Sequence, residues 1–454
     1  MTDLTTGPPL RRIVGFALPL TAANLVGQSY VLIDSIVVGR YVGIEGLAAV
    51  GAAGPLFYLL NAMFIGLSTA FTIRLAHLRG AQQDGERRGV VLSLALVTVI
   101  WSVGCIILAT VLARPVLGLM GIEGHLADNC YIFISTLSIG FPAIFGGAAV
   151  SAYFRGLGDS RSAMWVAALG SVLNIVLVWW FVSPLRMGIR GAALATVVAS
   201  AVALIAGLAY AAKKYPLAAG DGRPAVRREL IDAVRLGFPL ASQHIILALG
   251  IMVLVWIIQG YGEVVLAAFT VVSRIELFTA MVFLDFSGGV TAFVAQNLGG
   301  EHKARARRGL LQTIYLTIGV SLLVSALVLL ARGPIAGVFT DDVAARELTE
   351  RYLLIIYPFL ALYTVMVVAH GYLNGSRRTT APLICTVIAF VCVQIPFAYF
   401  LNGPFGIDAV MWAVVASWTA GLTYTTFCLR GVLFDRSTPA LPAPVDDSLE
   451  TSKS

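Results

Sequence analysis

Long apolar stretches alternate with short polar connections along almost the whole chain. Twelve such stretches can be marked, at about 13–38, 46–73, 89–113, 126–154, 162–183, 188–212, 230–259, 264–295, 309–331, 347–373, 379–401 and 405–429. Each is long enough to cross a bilayer as a helix, which takes about 20 residues. The pattern predicts an all-α membrane protein with twelve transmembrane helices. Polar residues inside such stretches are costly and rare, so those that occur are informative.

The first stretch, Ile13 to Gly39, holds one proline, Pro19, and one carboxylate, Asp34. At about 100° per residue, Asn24, Gln28 and Ser35 share one side of a helix, with Asp34 at its edge. Pro19 removes a backbone donor and invites a bend. Such a stripe marks an ion or proton pathway, or Asp34 pairs with a polar neighbour. The seventh stretch contains Pro239, a second candidate bend, followed by Gln243 and His244. A histidine there can titrate near neutral pH or serve as a packing partner. The eighth carries Arg274, Glu276 and Asp285. Arg274 and Asp285 share a face but lie about 16 Å apart along the axis, so they cannot pair in a straight helix. These three line a substrate cavity, with Asn24, Gln28, Gln243, His244 and Gln394, or lock helices together. Gln394 is a lone polar group beside Pro396. Asp159 reads as a helix cap, and Trp179, Trp180 and Trp256 as interface anchors.

Composition sharpens the class. Of 454 residues, 58% are hydrophobic and only 12% charged, against about 25% charged in a soluble protein. The net charge of +7 would suggest nucleic acid, but the basic residues crowd alternate connections. They then give a topology, with both termini cytoplasmic in the cell (inner) membrane, and need no nucleic-acid partner. Arg11 and Arg12 precede a stretch too long for a signal peptide. The five cysteines lie in apolar stretches without metal spacing. No P-loop, nucleophile elbow or HExxH occurs, so the expectation is neither an enzyme nor a cofactor or metal protein.

The chain also repeats. Gly15-Phe16-Ala17-Leu18-Pro19-Leu20 recurs as Arg235-Leu236-Gly237-Phe238-Pro239-Leu240, and His77-Leu78-Arg79-Gly80-Ala81 answers Gln296-Asn297-Leu298-Gly299-Gly300. This predicts two pseudo-symmetric six-helix lobes: residues 1–212, a cytoplasmic linker 213–229, and residues 230–435, with a disordered tail 436–454. Internal repeats with a site at their interface are a transporter signature.

On these residues the chain resembles the multidrug and toxic compound extrusion (MATE) transporters. The matching stretches are ALPL…DSIVVGRYVG…LAAVG, FRGLGDSRSAM, LNIVL, GAALATVVAS and LAAFTVVSRIELF…TAFVAQNLGGEHKARA. The last looks most like the DinF-type bacterial branch. The resemblance implies alternating-access efflux of amphipathic, cationic drugs or metabolites, driven by protons or sodium. It implies ion-coupling roles for Asp34, Asn174 and Thr196. Where many such proteins carry a second carboxylate four residues after the asparagine, this chain has Val178, and the segment-seven glutamate of another branch is not evident. One acid suffices for a proton, whereas a hard cation wants several oxygens, which favours H+ over Na+. The expected partners are small amphipathic molecules and the bilayer, with the protein a monomer. A lipid-linked glycan flippase or a dedicated exporter of one endogenous metabolite are the alternatives.

Overall fold

The computed structural model describes residues 3–119, 124–216, 225–339 and 342–433, and every regular element among them is helical. The first half holds α1 (Pro9–Tyr41), α2 (Ile44–Gly80), α3 (Arg87–Leu119), α4 (Gly124–Ile139), α5 (Phe141–Gly156), α6 (Ser160–Val182) and α7 (Gly188–Lys214). The second holds α8 (Val226–Gln259), α9 (Glu263–Gly299), α10 (Lys303–Leu330), α11 (Arg332–Phe339), α12 (Val343–Ile356), α13 (Leu360–Gly375), α14 (Thr380–Thr386), α15 (Ile395–Phe400), α16 (Asn402–Phe405) and α17 (Asp408–Leu433). Part of the expected linker, 217–224, and the expected tail from Arg436 lie outside the described residues.

Ten helices among the described residues are long and apolar enough to span a membrane. An eleventh span results if α4 and α5, bent 53° to each other, are one. The single stretch 126–154 therefore folds as two helices. Gly140 and Pro142 supply the reason, because Pro142 cannot donate to an unbroken ladder. A similar break, Tyr357–Phe359 around Pro358, separates α12 from α13. Between α14 and α15 the backbone widens into a π-helix, Val387–Gln394, just before Pro396. By contrast α1 runs on through Pro19 and α8 through Pro239.

The internal repeat is written into the backbone. Gly43 and Gly262, each preceding a 37-residue helix, have φ of 95° and 96°, a conformation that side chains other than hydrogen resist. Positive φ recurs at Gln82 and Glu301, and at Gly158 and Arg377. Each of these pairs keeps the same spacing as His77 and Gln296 in the repeated motif.

The halves meet along α2 with α8 and α9, and along α1 with α9. Their contact is closest toward the end of the bundle where α1 begins, the basic end. A methyl group on Gly66 would lie 2.3 Å from the Ala241 amide nitrogen, and one on Gly80 would lie 1.8 Å from the Gln296 carbonyl oxygen. One on Gly299 would lie 2.1 Å from the His77 carbonyl oxygen. The two copies of the repeated motif thus dock reciprocally: Gly80 on Gln296, and its counterpart Gly299 on His77. Arg74 of α2 crosses to the buried Glu229 of α8 through two hydrogen bonds, 2.9 and 2.8 Å. Toward the other end, methyl groups on Gly27, Gly51 or Gly54 would meet nothing within 4 Å. The bundle is sealed at its basic end and loosens beyond it.

Candidate functional site

Asp34 lies on the loosened side. It sits ten residues past Asn24 on α1, about 15 Å farther from the basic end. Its side chain is half-buried, and its Oδ1 is buried with no hydrogen-bond partner. One turn before it, Tyr30 forms part of the wall of a cavity of about 280 Å3. Asn174 of α6 and Thr196 of α7 line the same cavity. The Asn174 amide donates to the Thr196 hydroxyl at 2.9 Å, which leaves Asn174 Oδ1 buried and unpartnered. Of the residues named from the resemblance, Asn174 and Thr196 border this recess, while Asp34 stands outside its wall, one turn past Tyr30. Val178, one turn past Asn174, is fully buried. Besides Asn174 and Thr196, the hydroxyls of Tyr30, Ser151, Ser171 and Ser200 line the recess, which holds no carboxylate.

A second polar cluster forms where the halves meet. Asn24 of α1 donates to Asp285 Oδ1 of α9 at 2.7 Å. The Thr21 hydroxyl also bonds to Asp285, and Arg155 at the end of α5 lies within electrostatic range. Arg155 was legible only as a loop residue, since it ends an apolar stretch; the fold turns it inward against the other half. Asp285 Oδ2 and Arg155 Nε have no hydrogen-bond partner. The repeat explains the site. Asp285 is the counterpart of Gly66, and Thr21 that of Ala241. Where α2 and α8 touch through glycine, α1 and α9 meet through a carboxylate.

The remaining sequence-selected residues are spread out. Gln28 is half-buried on α1, and Ser35 is turned to the Val31 carbonyl at 2.9 Å. Gln243 donates to the Pro239 carbonyl at 3.3 Å, one turn back on α8, and His244 is half-buried beside it. Arg274 is exposed on α9. Glu276 instead faces a tyrosine cage, with Tyr352, Tyr357 and Tyr363 all in electrostatic range and its Oε1 buried without a hydrogen bond. Sequence could not anticipate the cage, because its tyrosines come from α12, α13 and the turn between them, beyond two intervening helices. Gln394 is buried at the end of the π-helix, apart from these groups. Asp159 caps α6 as the GLGDSR pattern predicts, its Oδ1 accepting from the Ser162 amide at 3.1 Å.

Known proteins bear on this arrangement. The sequence model described as MatE matches twice, over residues 19–180 and 239–400. The chain is 24% identical over 399 residues to the "Probable multidrug resistance protein YoeA" of Bacillus subtilis, covering 85% of this chain and 86% of that one. It is 23% identical to the "FAD transporter" of Shewanella oneidensis, covering 87% and 88%. Among solved structures, "Crystal structure of MATE in the bent conformation" superposes with a TM-score of 0.89 at 24% identity, covering 95% of this chain and 97% of that one.

Proposed function

We propose that this chain, which belongs to the MatE family of small-molecule membrane transporters, is a secondary antiporter. It exports amphipathic, cationic drugs or metabolites across the cell membrane in exchange for protons. The observation that carries this reading is the lone carboxylate of Asp34. It has a buried unpartnered oxygen, on the loosened side of the seal, next to the Asn174–Thr196 recess. An intramembrane carboxylate without a counter-ion is poised to take up a cation. With Val178 where a second acid would complete an oxygen cage, a proton suits the site better than sodium.

The cycle follows from the seal. The basic end is cytoplasmic by the distribution of Lys and Arg, so the arrangement faces outward. The lobes are residues 1–212 and 230–435, each with six spans, α17 being the twelfth. A proton entering from outside neutralises Asp34. That removes the preference of the α1 face for a polar cavity and lets α1 repack about Pro19, where the Gly15 carbonyl lacks its usual amide donor. The cavity narrows and substrate leaves outward. Opening at the cytoplasmic end then resets the proton and admits substrate.

The exposed Arg274 supports a second reading. It makes no ion pair among the described residues, and an exposed, unpaired guanidinium within an apolar helix suits an anionic endogenous metabolite. A relative of this chain is named as a transporter of FAD, a diphosphate.

The test is efflux from proteoliposomes under a proton or a sodium gradient. Proton-driven efflux of a fluorescent cation should fall at least tenfold in Asp34→Asn. Equal rates in variant and wild type, with unchanged ion dependence, would refute the coupling role. Efflux of FAD but not of the cation, lost in Arg274→Ala, would establish the second reading.

A further inference from the structure

We propose that Arg11, Arg12 and Arg161 form a binding site for the phosphate of an anionic lipid headgroup. The three arginines converge on a surface cavity of about 560 Å3 between the first turns of α1 and α6, with Ser160 and Gly15 also in its wall. No residue lining it is acidic. The adjacent carboxylate, Asp159, is occupied elsewhere by Lys214 at 2.8 Å, Tyr215 at 2.8 Å and Ser162. Asp3 lies in electrostatic range of Arg12 alone among the three. Arg12 is held by a 3.1 Å hydrogen bond from its Nε to the Thr6 carbonyl, while Arg11 and Arg161 are exposed and make no ion pair among the described residues. Two guanidinium groups without a counter-ion, Arg11 and Arg161, with that of Arg12 beside them around one cavity, call for an anion, and their forked donors match phosphate oxygens.

The surroundings identify the anion as a lipid's. Along α6, Trp165, Leu169, Val172 and Val176 are exposed at helical spacing, by 68%, 38%, 53% and 53%. This apolar stripe ends at Trp179 and Trp180, which are also exposed. Tryptophans about 21 Å apart along the axis bracket a lipid-facing surface, because indoles settle at the headgroup level. Arg161 continues the stripe one turn beyond Trp165, in the headgroup layer. On α1, Arg11 likewise heads an exposed face that continues through Gly15 and Leu18. Basic pockets between transmembrane helices at this depth take acidic headgroups. A lipid seated here ties the start of α1, below Pro19, to the start of α6.

The full chain in detergent, titrated with phosphatidylglycerol and observed by native mass spectrometry, tests this. Phosphatidylglycerol should bind more tightly than phosphatidylcholine. In Arg11→Ala/Arg161→Ala its affinity should fall on the order of tenfold, and Arg11→Lys/Arg161→Lys should restore most of it, which separates lost charge from lost fold. Equal affinity for the two lipids, or an alanine pair that binds phosphatidylglycerol like wild type, overturns the proposal. Displacement of the lipid by millimolar inorganic phosphate would assign the cavity to a soluble phosphate and also overturn it. The readout needs no transport, so its failure is separable from failure of the antiport reading.

Discussion

Asp159 is the residue on which the basic end of α5, α6 and α7 converges. Burial alone pushes its carboxyl up, but hydrogen bonds from Lys214, Ser162 and Tyr215 outweigh burial and hold it below the usual carboxylate range. Folding therefore favours the ionised form. Its contribution to stability is complete above the unfolded value of about 3.9 and is lost as pH falls through the lower folded value. Asp159→Asn keeps a cap but gives up the charge-assisted bonds, a loss of roughly 2 kcal/mol. The variant should melt at a lower temperature than wild type at pH 7, and the gap should close below about pH 4 as the wild-type carboxylate protonates. A gap that stays constant across that range would mean that shape, not charge, holds the cluster. This residue was readable in the sequence because a cap is local: its partner Ser162 opens the same helix. Its bonds to Lys214 and Tyr215 were not, since these residues close the far end of α7 and nothing local marks so distant a contact.

At the scale of helices, the informative comparison is between the two crossings that the repeat makes equivalent. Gly66 lets α2 and α8 touch backbone to backbone. At the matching place, Asp285 joins α9 to α1 through Asn24 at 2.7 Å. The first contact is fixed by packing, whereas the second can be made and broken by a charge. Loss of a hydrogen bond to a charged group is worth about 1.5–3 kcal/mol, enough to shift a two-state equilibrium by roughly tenfold or more. Asn24→Ala and Asp285→Ala should each open the basic end, and the double variant should add little to Asp285→Ala, which already removes the bond to Asn24 along with that to Thr21. Spin-label distances between the basic ends of α1 and α9 would show it; distributions unchanged from wild type would count against the crossing as a latch. The apolar runs placed nearly every helix beforehand, because membrane insertion depends on runs of about 20 residues. They did not reveal the break at Gly140 or the π-helix before Pro396. Nor could they show that Asn24 and Asp285, from opposite halves of the chain, would meet.

For the whole molecule, the seal has a component that no periodicity suggested. Among the described residues before α1, Leu4 is the one large aliphatic side chain, and it is fully buried in the core that both halves share. The Leu4 amide donates to Gln296 Oε1 at 3.3 Å, and its carbonyl accepts from Asn297 at 3.1 Å and Arg305 at 3.2 Å. The Thr6 carbonyl accepts from Arg305 at 2.8 Å and from Arg12 at 3.1 Å. The segment therefore starts on α9 and α10 of the second half and runs into α1 of the first. It is a strap across the seam, positioned to stabilise the closed basic end. Leu4→Asp would place a charge in an apolar socket, which is too costly to persist, so the strap should detach while both halves stay folded. A cysteine introduced by Ala76→Cys, in a background without native cysteines, reports on the seam, because Ala76 is fully buried where α2 meets the second half. Its labelling by a water-soluble maleimide should rise several-fold with Leu4→Asp, while Asn174 and Asp34, on the far side of the seal, keep their surroundings. Labelling no faster than in the parent would mean that the glycine contacts and the Arg74–Glu229 pair close the basic end without the strap.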